Sequence, residues 1–87
     1  MTVSDAVFVY ALSTCPWCLK AKRYFEENSI PFEAVDIDLL PDDESDRLAD
    51  EAYSLSGSRA FPVVKIGGEV IVGYAPERFA VLLETQA

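Results

Sequence analysis

The sequence has no histidine and only two cysteines, Cys15 and Cys18, among its 87 residues. A structural zinc site needs four ligands, usually Cys or His, and a second pair is missing. A Cys–His nucleophile pair is excluded because histidine is absent. A disulfide scaffold needs long-range bridges, and a bridge across two residues closes almost no loop. Three interpretations of the pair remain: redox catalysis, half of a metal site shared with another molecule, and coincidence.

Basic residues are also scarce, with 7 Lys and Arg against 15 Asp and Glu, a net charge of −8. This balance argues against nucleic acid and against anionic membrane surfaces as partners. The apolar run Ala6–Leu12 is strand length and too short for a membrane span. Met1–Asp5 lacks the basic stretch of a targeting segment. We therefore expect a cytoplasmic protein, in a compartment where a disulfide is usually transient and catalytic.

The length predicts one domain, residues 1–87, in which hydrophobic residues make up 51% of the chain. No linker, internal repeat or low-complexity tract interrupts it. Nothing in the sequence indicates an obligate oligomer, so we expect a monomer.

The first half of the chain reads as strand, helix, strand. Val7–Leu12 is a nearly continuous apolar run, typical of a strand buried on both faces. Pro16 suits the first turn of a helix that extends to about Asn28. Its inward face is predicted to carry Cys18, Ala21 and Phe25. Pro31 ends this helix, Phe32–Ile37 alternates as a second strand, and the short joints imply a parallel right-handed crossover.

The second half adds a helix, two strands and a last helix. Asp42, Asp43 and Glu44 place negative charge at a helix start, and Gly57 is a suitable C-terminal cap. We expect an apolar stripe on this helix at Leu48, Ala52 and Leu55.

Pro62–Ile66 and Glu69–Val72 read as a hairpin around Gly67-Gly68. Pro76 can begin a helix that carries Phe79, Leu82 and Leu83 inward. The predicted fold is α/β in the order β-α-β-α-β-β-α, a four-stranded mixed sheet flanked by helices.

Cys15 and Cys18 occupy positions that suit thiol–disulfide exchange. Cys15 lies at a strand-to-helix junction, where free N–H groups and the helix dipole favour a thiolate. Cys18 lies three residues further along the helix, near Cys15 and on the buried face. We therefore assign Cys15 as the nucleophile and Cys18 as the resolving thiol. A C-x-x-C pair that follows a strand and opens a helix in a β-α-β unit is strong evidence for redox chemistry.

The residues around the two cysteines have predicted roles as well. Pro16 fixes a φ angle and removes a donor between the sulfurs, which bears on the redox balance. Trp17 is expected on the rim, where its flat ring offers a partner a docking surface, although packing on the helix is the alternative. Lys20 and Lys22 lie in the following turns and can assist the thiolate if they point toward it.

These features together resemble the glutaredoxin family of the thioredoxin superfamily. The resemblance covers nearly the whole chain and rests on Cys15-Pro16-Trp17-Cys18, on Phe61-Pro62 before the third strand, and on Gly73 after the fourth. It implies that Pro62 is cis and faces the cysteines, and that Phe61 offers its backbone to the substrate. We add Gly73 and Tyr74 to the substrate-binding residues on the same ground.

Two departures bear on the reductant. Glutathione-dependent members usually carry a basic residue shortly before the first cysteine, whereas residues 11–14 here read Ala-Leu-Ser-Thr. Arg59 and Lys65 are possible replacements for that charge. The segment Gly73-Tyr74-Ala75-Pro76-Glu77-Arg78 resembles instead the NrdH-type redoxins, which are reduced by a flavin thioredoxin reductase and serve ribonucleotide reductase. The Cys-Pro-Trp-Cys form also resembles archaeal and anaerobic redoxins, some of which draw electrons from a ferredoxin-linked reductase.

Three functions stay open at this point. The first is a dithiol electron carrier for protein disulfides, with no bound cofactor and a protein reductase as its partner. The second is a glutathione-dependent glutaredoxin. The third is an iron–sulfur binding module, against which the second cysteine Cys18 and the weak glutathione pocket both count.

Overall fold

A computed structural model of the chain describes residues 7–86. The predicted element order is confirmed: β1 (Val7–Ala11), α1 (Pro16–Glu27), β2 (Glu33–Asp36), a 3-10 turn (Ile37–Leu39), α2 (Asp42–Ser56), β3 (Val63–Ile66), β4 (Glu69–Val72) and α3 (Pro76–Gln86). Ala6, the expected first residue of the apolar run, and the segment Met1–Asp5 lie outside the described residues. In the part of the chain that is described, no helix is long and apolar enough to cross a membrane.

The four strands form one mixed sheet in the order β2-β1-β3-β4. β1 pairs with β2 in parallel, and the β1–β3 and β3–β4 pairs are antiparallel. Ala11 is opposite Asp36 and Tyr10 is opposite Val63, so β1 and β2 end at the edge where β3 begins. Cys15 follows β1 and therefore lies at this edge.

Both faces of the sheet are covered, which explains why β1 is apolar at nearly every position. Val9 and Ala11 pack with α1 and α3 residues such as Phe25 and Phe79. Tyr10 points to the other face and packs with Ala52 of α2. Helices therefore pack on both faces of the sheet whose edge carries Cys15.

Several predicted strand bounds and one predicted core residue need correction. The first strand ends at Ala11 rather than Leu12, and the third begins at Val63 rather than Pro62. The second strand was expected over Phe32–Ile37 but spans Glu33–Asp36, and Ile37 is buried in the 3-10 turn that follows. Leu55 was expected on the inward face of α2 but is 41% exposed. The partly buried side chain that follows Ala52 on that face is Ser56, whose hydroxyl donates to the Ala52 carbonyl at 2.8 Å.

The predicted end of α2 is confirmed. Gly57 is the C-terminal cap at φ 71°, in the left-handed region that glycine adopts at little cost, and its N–H donates to the Tyr53 carbonyl.

Candidate active site

Cys15 caps the N-terminus of α1 through its sulfur. Its backbone is extended (φ −89°, ψ 114°), and its Sγ accepts a hydrogen bond from the Cys18 N–H at 3.3 Å. Pro16 is the first helical residue, where the missing N–H costs nothing. The sulfur therefore takes the place that a Ser or Asp oxygen takes in other helices, at the positive end of the helix dipole.

Cys18 is the more buried of the two thiols, as expected. Its side chain is 1% exposed and packs with Ala21 and Phe25 in the core, whereas Cys15 is partly exposed. Burial raises the pKa of the Cys18 thiol to about 12, and its hydrogen bond with Cys15 adds to the shift. A backbone hydrogen bond at Leu12 and the charge of Lys22 act in the opposite direction. Cys18 is thus a protonated, shielded thiol behind an accessible one.

The segment from β3 approaches the Cys15 sulfur. The Phe61–Pro62 peptide bond is cis, as the resemblance implies, and the Phe61 carbonyl oxygen lies 3.9 Å from Cys15 Sγ. The Pro62 carbonyl accepts the Gly73 N–H at 2.8 Å, and Gly73 has φ 91°. The structure therefore brings Phe61, Pro62 and Gly73 together beside Cys15.

Trp17 and Tyr74 form a pair of aromatic rings on the surface. Trp17 is 54% exposed, and its ring is stacked against Tyr74 with centroids 6.2 Å apart and an interplanar angle of 24°. Lys20 Nζ lies 4.8 Å from the centre of the Trp17 ring. The two sequence alternatives, docking and packing, do not exclude each other, because the Trp17 ring packs against Tyr74 while about half of its surface stays exposed.

The structure places the other cations that the sequence singled out as follows. Lys22 forms an ion pair with Asp36 at 2.8 Å, beside the end of β2. Arg59 lies over the Tyr53 ring at 4.4 Å. Lys65 is opposite Phe8, toward the end of the sheet away from Cys15. Lys65 therefore lies far from the position of the basic residue missing before Cys15, and Arg59 contacts α2.

Asp38 is a residue at this edge that sequence reasoning missed. Its carboxylate accepts the Ser13 N–H at 2.8 Å and the Ser13 hydroxyl at 2.5 Å. These two hydrogen bonds, the hydroxyl first, lower the pKa of Asp38. An acid just after the second parallel strand could have indicated the contact, since β1 and β2 end at one edge.

A second missed contact lies on the α2 side of the sheet. The Tyr10 hydroxyl donates to Glu51, and burial followed by this bond raises the pKa of Tyr10. A cleft of about 740 Å³ opens there, with Phe8, Phe32 and Lys65 in its wall. It faces away from the thiols and does not belong to their site. Among residues 7–86, no three His, Cys, Asp or Glu side chains converge as metal ligands.

Comparison with known proteins agrees with this geometry. Residues 7–71 match the family model described as Glutaredoxin. The chain is 38% identical over 76 residues to an uncharacterised glutaredoxin-like 8.6 kDa protein in the rubredoxin operon of Clostridium pasteurianum, covering 87% of this chain and 95% of that one. Mitochondrial glutaredoxin-2 sequences also match, and the chain spans 43% of the human one.

Solved structures give the same result. The glutaredoxin of Archaeoglobus fulgidus superposes with a TM-score of 0.84 at 34% identity, over 88% of this chain and 84% of that one. The glutaredoxin-like NrdH-redoxin of Escherichia coli, described as having a thioredoxin-like activity profile, superposes with a TM-score of 0.69 at 29% identity, over 87% of this chain and 92% of that one.

Proposed function

The chain belongs to the glutaredoxin family, and we propose that within it the protein is a cytoplasmic dithiol electron carrier that reduces protein disulfides. Cys15 is the nucleophile and Cys18 the resolving thiol. The electrons come from a protein reductase rather than from glutathione, and the carrier works as a monomer without a bound cofactor. The observation that carries the proposal is the pairing of an accessible sulfur at the start of α1 with a buried thiol one helical turn behind it.

The reaction follows from these two environments. The Cys15 thiolate attacks one sulfur of a client disulfide, and the other client sulfur leaves as a thiolate that takes up a proton. Cys18 then loses its proton and attacks Cys15 Sγ, which releases the second client thiol and leaves the Cys15–Cys18 disulfide. Two electrons have passed to the client. Burial raises the pKa of Cys18, so the loss of this proton is part of the second step.

We assign client binding to the residues on the Cys15 side of the sheet. They are Phe61, Pro62, Gly73 and the Trp17–Tyr74 pair. Their placement supports a client segment that lies against the Phe61 backbone while its side chains contact the two rings. Exposed aromatic rings of this kind are common anchors in protein interfaces. Pro16 sets the start of the helix between the two sulfurs.

The charges around the site favour a protein reductase over glutathione. Residues 11–14 carry no cation, and Lys22 is bound to Asp36. A charge-assisted hydrogen bond contributes roughly 1.5–3 kcal/mol, so its loss weakens glutathione binding by about ten- to a hundredfold. The likeness to an NrdH-redoxin supports a thioredoxin-reductase-like donor and ribonucleotide reductase as a client. A ferredoxin-linked reductase is the alternative donor, on the resemblance of Cys15-Pro16-Trp17-Cys18 to archaeal and anaerobic redoxins.

The test is reduction of the oxidised protein by three systems, followed by Trp17 fluorescence and thiol counting. They are NADPH with thioredoxin reductase, glutathione with its reductase, and reduced ferredoxin with its thiol reductase. The Cys15→Ser variant is the blank. We expect fast reduction in the first or third system and slow reduction by glutathione. Efficient turnover with glutathione alone would overturn the assignment of the donor, and no reduction in any system would overturn the redox function.

A further inference from the structure

The loop that leads into Cys15 is fastened to a carboxylate. Ser13 donates both its N–H and its hydroxyl to Asp38, at 2.8 and 2.5 Å, one to each carboxylate oxygen. Asp38 lies in the 3-10 turn after β2, and its own position is fixed by that turn. The carboxylate is therefore held in one place relative to the loop.

This carboxylate is close to the reactive thiol and open to solvent. Two residues of extended chain span at most about 7 Å, so the Asp38 oxygen bonded to Ser13 lies within about 10 Å of the Cys15 nitrogen. Asp38 is exposed, and the hydrogen bonds from Ser13 lower its pKa, which keeps it ionised at the neutral and alkaline pH where thiols react.

The charges packed nearby do not cancel it. Lys22 attracts Asp38, but its ammonium group is already bonded to Asp36 at 2.8 Å. Asp36, Lys22 and Asp38 together leave one negative charge at this corner of the site. Lys20, the cation two residues before Lys22 on α1, lies over the Trp17 ring.

We propose that Asp38 is a specificity-determining residue for exchange at Cys15, which disfavours anionic thiols such as glutathione and favours thiols or disulfides with positive charge beside the sulfur. The inference rests on the proposed function and names the charge class of its substrates. In the step concerned, a reductant thiolate attacks Cys15 Sγ of the Cys15–Cys18 disulfide, and Cys18 leaves and takes up a proton. A second thiolate then attacks the mixed disulfide, which releases Cys15 and the oxidised reductant.

The experiment measures reduction of the oxidised protein by glutathione, 2-mercaptoethanol and cysteamine, which carry net negative, zero and positive charge. The variants are Asp38→Asn, which keeps an oxygen for the Ser13 N–H, and Asp38→Glu, which keeps the charge. Glu69→Gln is the matched control, because Glu69 is an exposed carboxylate opposite Ile66, at the end of the sheet away from Cys15. Each variant is compared with wild type for the same thiol, so the intrinsic reactivity of the thiols cancels.

Each attacking thiolate brings one negative charge, so the effect of the remaining charge is measured relative to 2-mercaptoethanol. We expect Asp38→Asn to speed glutathione about two- to fivefold relative to 2-mercaptoethanol at low salt and to slow cysteamine relative to 2-mercaptoethanol by a similar factor, since two unit charges about 10 Å apart interact weakly through water. The effect shrinks at high salt, Asp38→Glu restores the wild-type order, and Glu69→Gln matches wild type.

An equal change of rate for all three thiols, or no change, would overturn the role of Asp38 while leaving the redox function intact. A wild-type disulfide that none of the three thiols reduces would overturn the role of Asp38, and failure with the protein reductases as well would overturn the redox function.

Discussion

The ion pair between Lys22 and Asp36 links α1 to the end of β2, and the charge of Lys22 acts on Cys18. Its two charged groups are 2.8 Å apart, and the side chains are only 22% and 27% exposed. Exposed pairs contribute about 0–1 kcal/mol, and breaking a fully buried pair costs about 3–5 kcal/mol. This pair lies between the two cases. We expect Lys22→Met and Asp36→Asn each to lower the free energy of unfolding by about 1–2 kcal/mol, with a coupling near 1 kcal/mol.

Urea unfolding of the reduced wild type, the two single variants and the double variant measures that coupling. Arg23→Met is the control, because Arg23 is an exposed cation on the same helix and its loss is expected to change stability by less than about 0.5 kcal/mol. Additivity of the two single variants within about 0.3 kcal/mol would refute the reasoning, since it would show that the charges do not interact.

The Lys22→Met variant is also expected to slow the resolving step of the exchange reaction. Lys22 lowers the pKa of Cys18, so Lys22→Met raises that pKa further and reduces the thiolate available at a given pH. Release of a client from the mixed disulfide becomes slower, while the first attack by Cys15 does not depend on this proton. Rapid quenching and mass measurement separate the two steps. Equal slowing of both steps would contradict a specific effect on Cys18.

Three further predictions concern stability and client binding. Folding raises the pKa of Cys18, so protonation of this thiol stabilises the folded state relative to the unfolded state. This stabilisation is complete below the unfolded pKa of about 8.5 and is lost as pH rises toward 12. Over that range the free energy of unfolding falls by up to about 1.4 kcal/mol per pH unit. Cys18→Ala removes this dependence of the free energy of unfolding on pH. The pKa of Tyr10 is also raised, but Tyr10 lowers the free energy of unfolding only above about pH 10. Phe25→Ala opens a cavity among core rings and costs about 3–5 kcal/mol in urea unfolding, whereas Val81→Ala on the surface changes little. Trp17→Ala lowers kcat/KM for protein disulfides roughly five- to thirtyfold but leaves reduction by dithiothreitol within about twofold; equal losses for both would argue against docking.

The sequence predicted those elements whose spacing of apolar residues is compatible with only one arrangement in the fold. Cys18, Ala21 and Phe25 are all buried, because a helix at a surface must place its apolar residues on one face. β1 is apolar throughout because it is covered on both sides. The prediction for Leu55 was wrong because residue spacing locates the inward face of a helix only to within about one residue. In α2 that position on the inward face is occupied by Ser56.

The contacts that surround Cys15 were harder to anticipate because they join distant parts of the chain. Stacking of Trp17 on Tyr74 depends on how α3 begins relative to α1. The bond between Ser13 and Asp38 depends on the register of β1 against β2, which the sequence leaves open. Pattern thus locates the two thiols, whereas tertiary structure decides which charges and rings face them.

The assignment of the two thiols is tested most directly by trapping the mixed disulfide. Cys18→Ala and Cys15→Ala are each incubated, fully reduced, with an oxidised protein disulfide, and the products are mapped by mass spectrometry. We expect Cys18→Ala to accumulate a covalent adduct at Cys15, because attack proceeds and resolution does not, and we expect Cys15→Ala to form none. An adduct at Cys18 in the Cys15→Ala variant, with none at Cys15, would contradict the account.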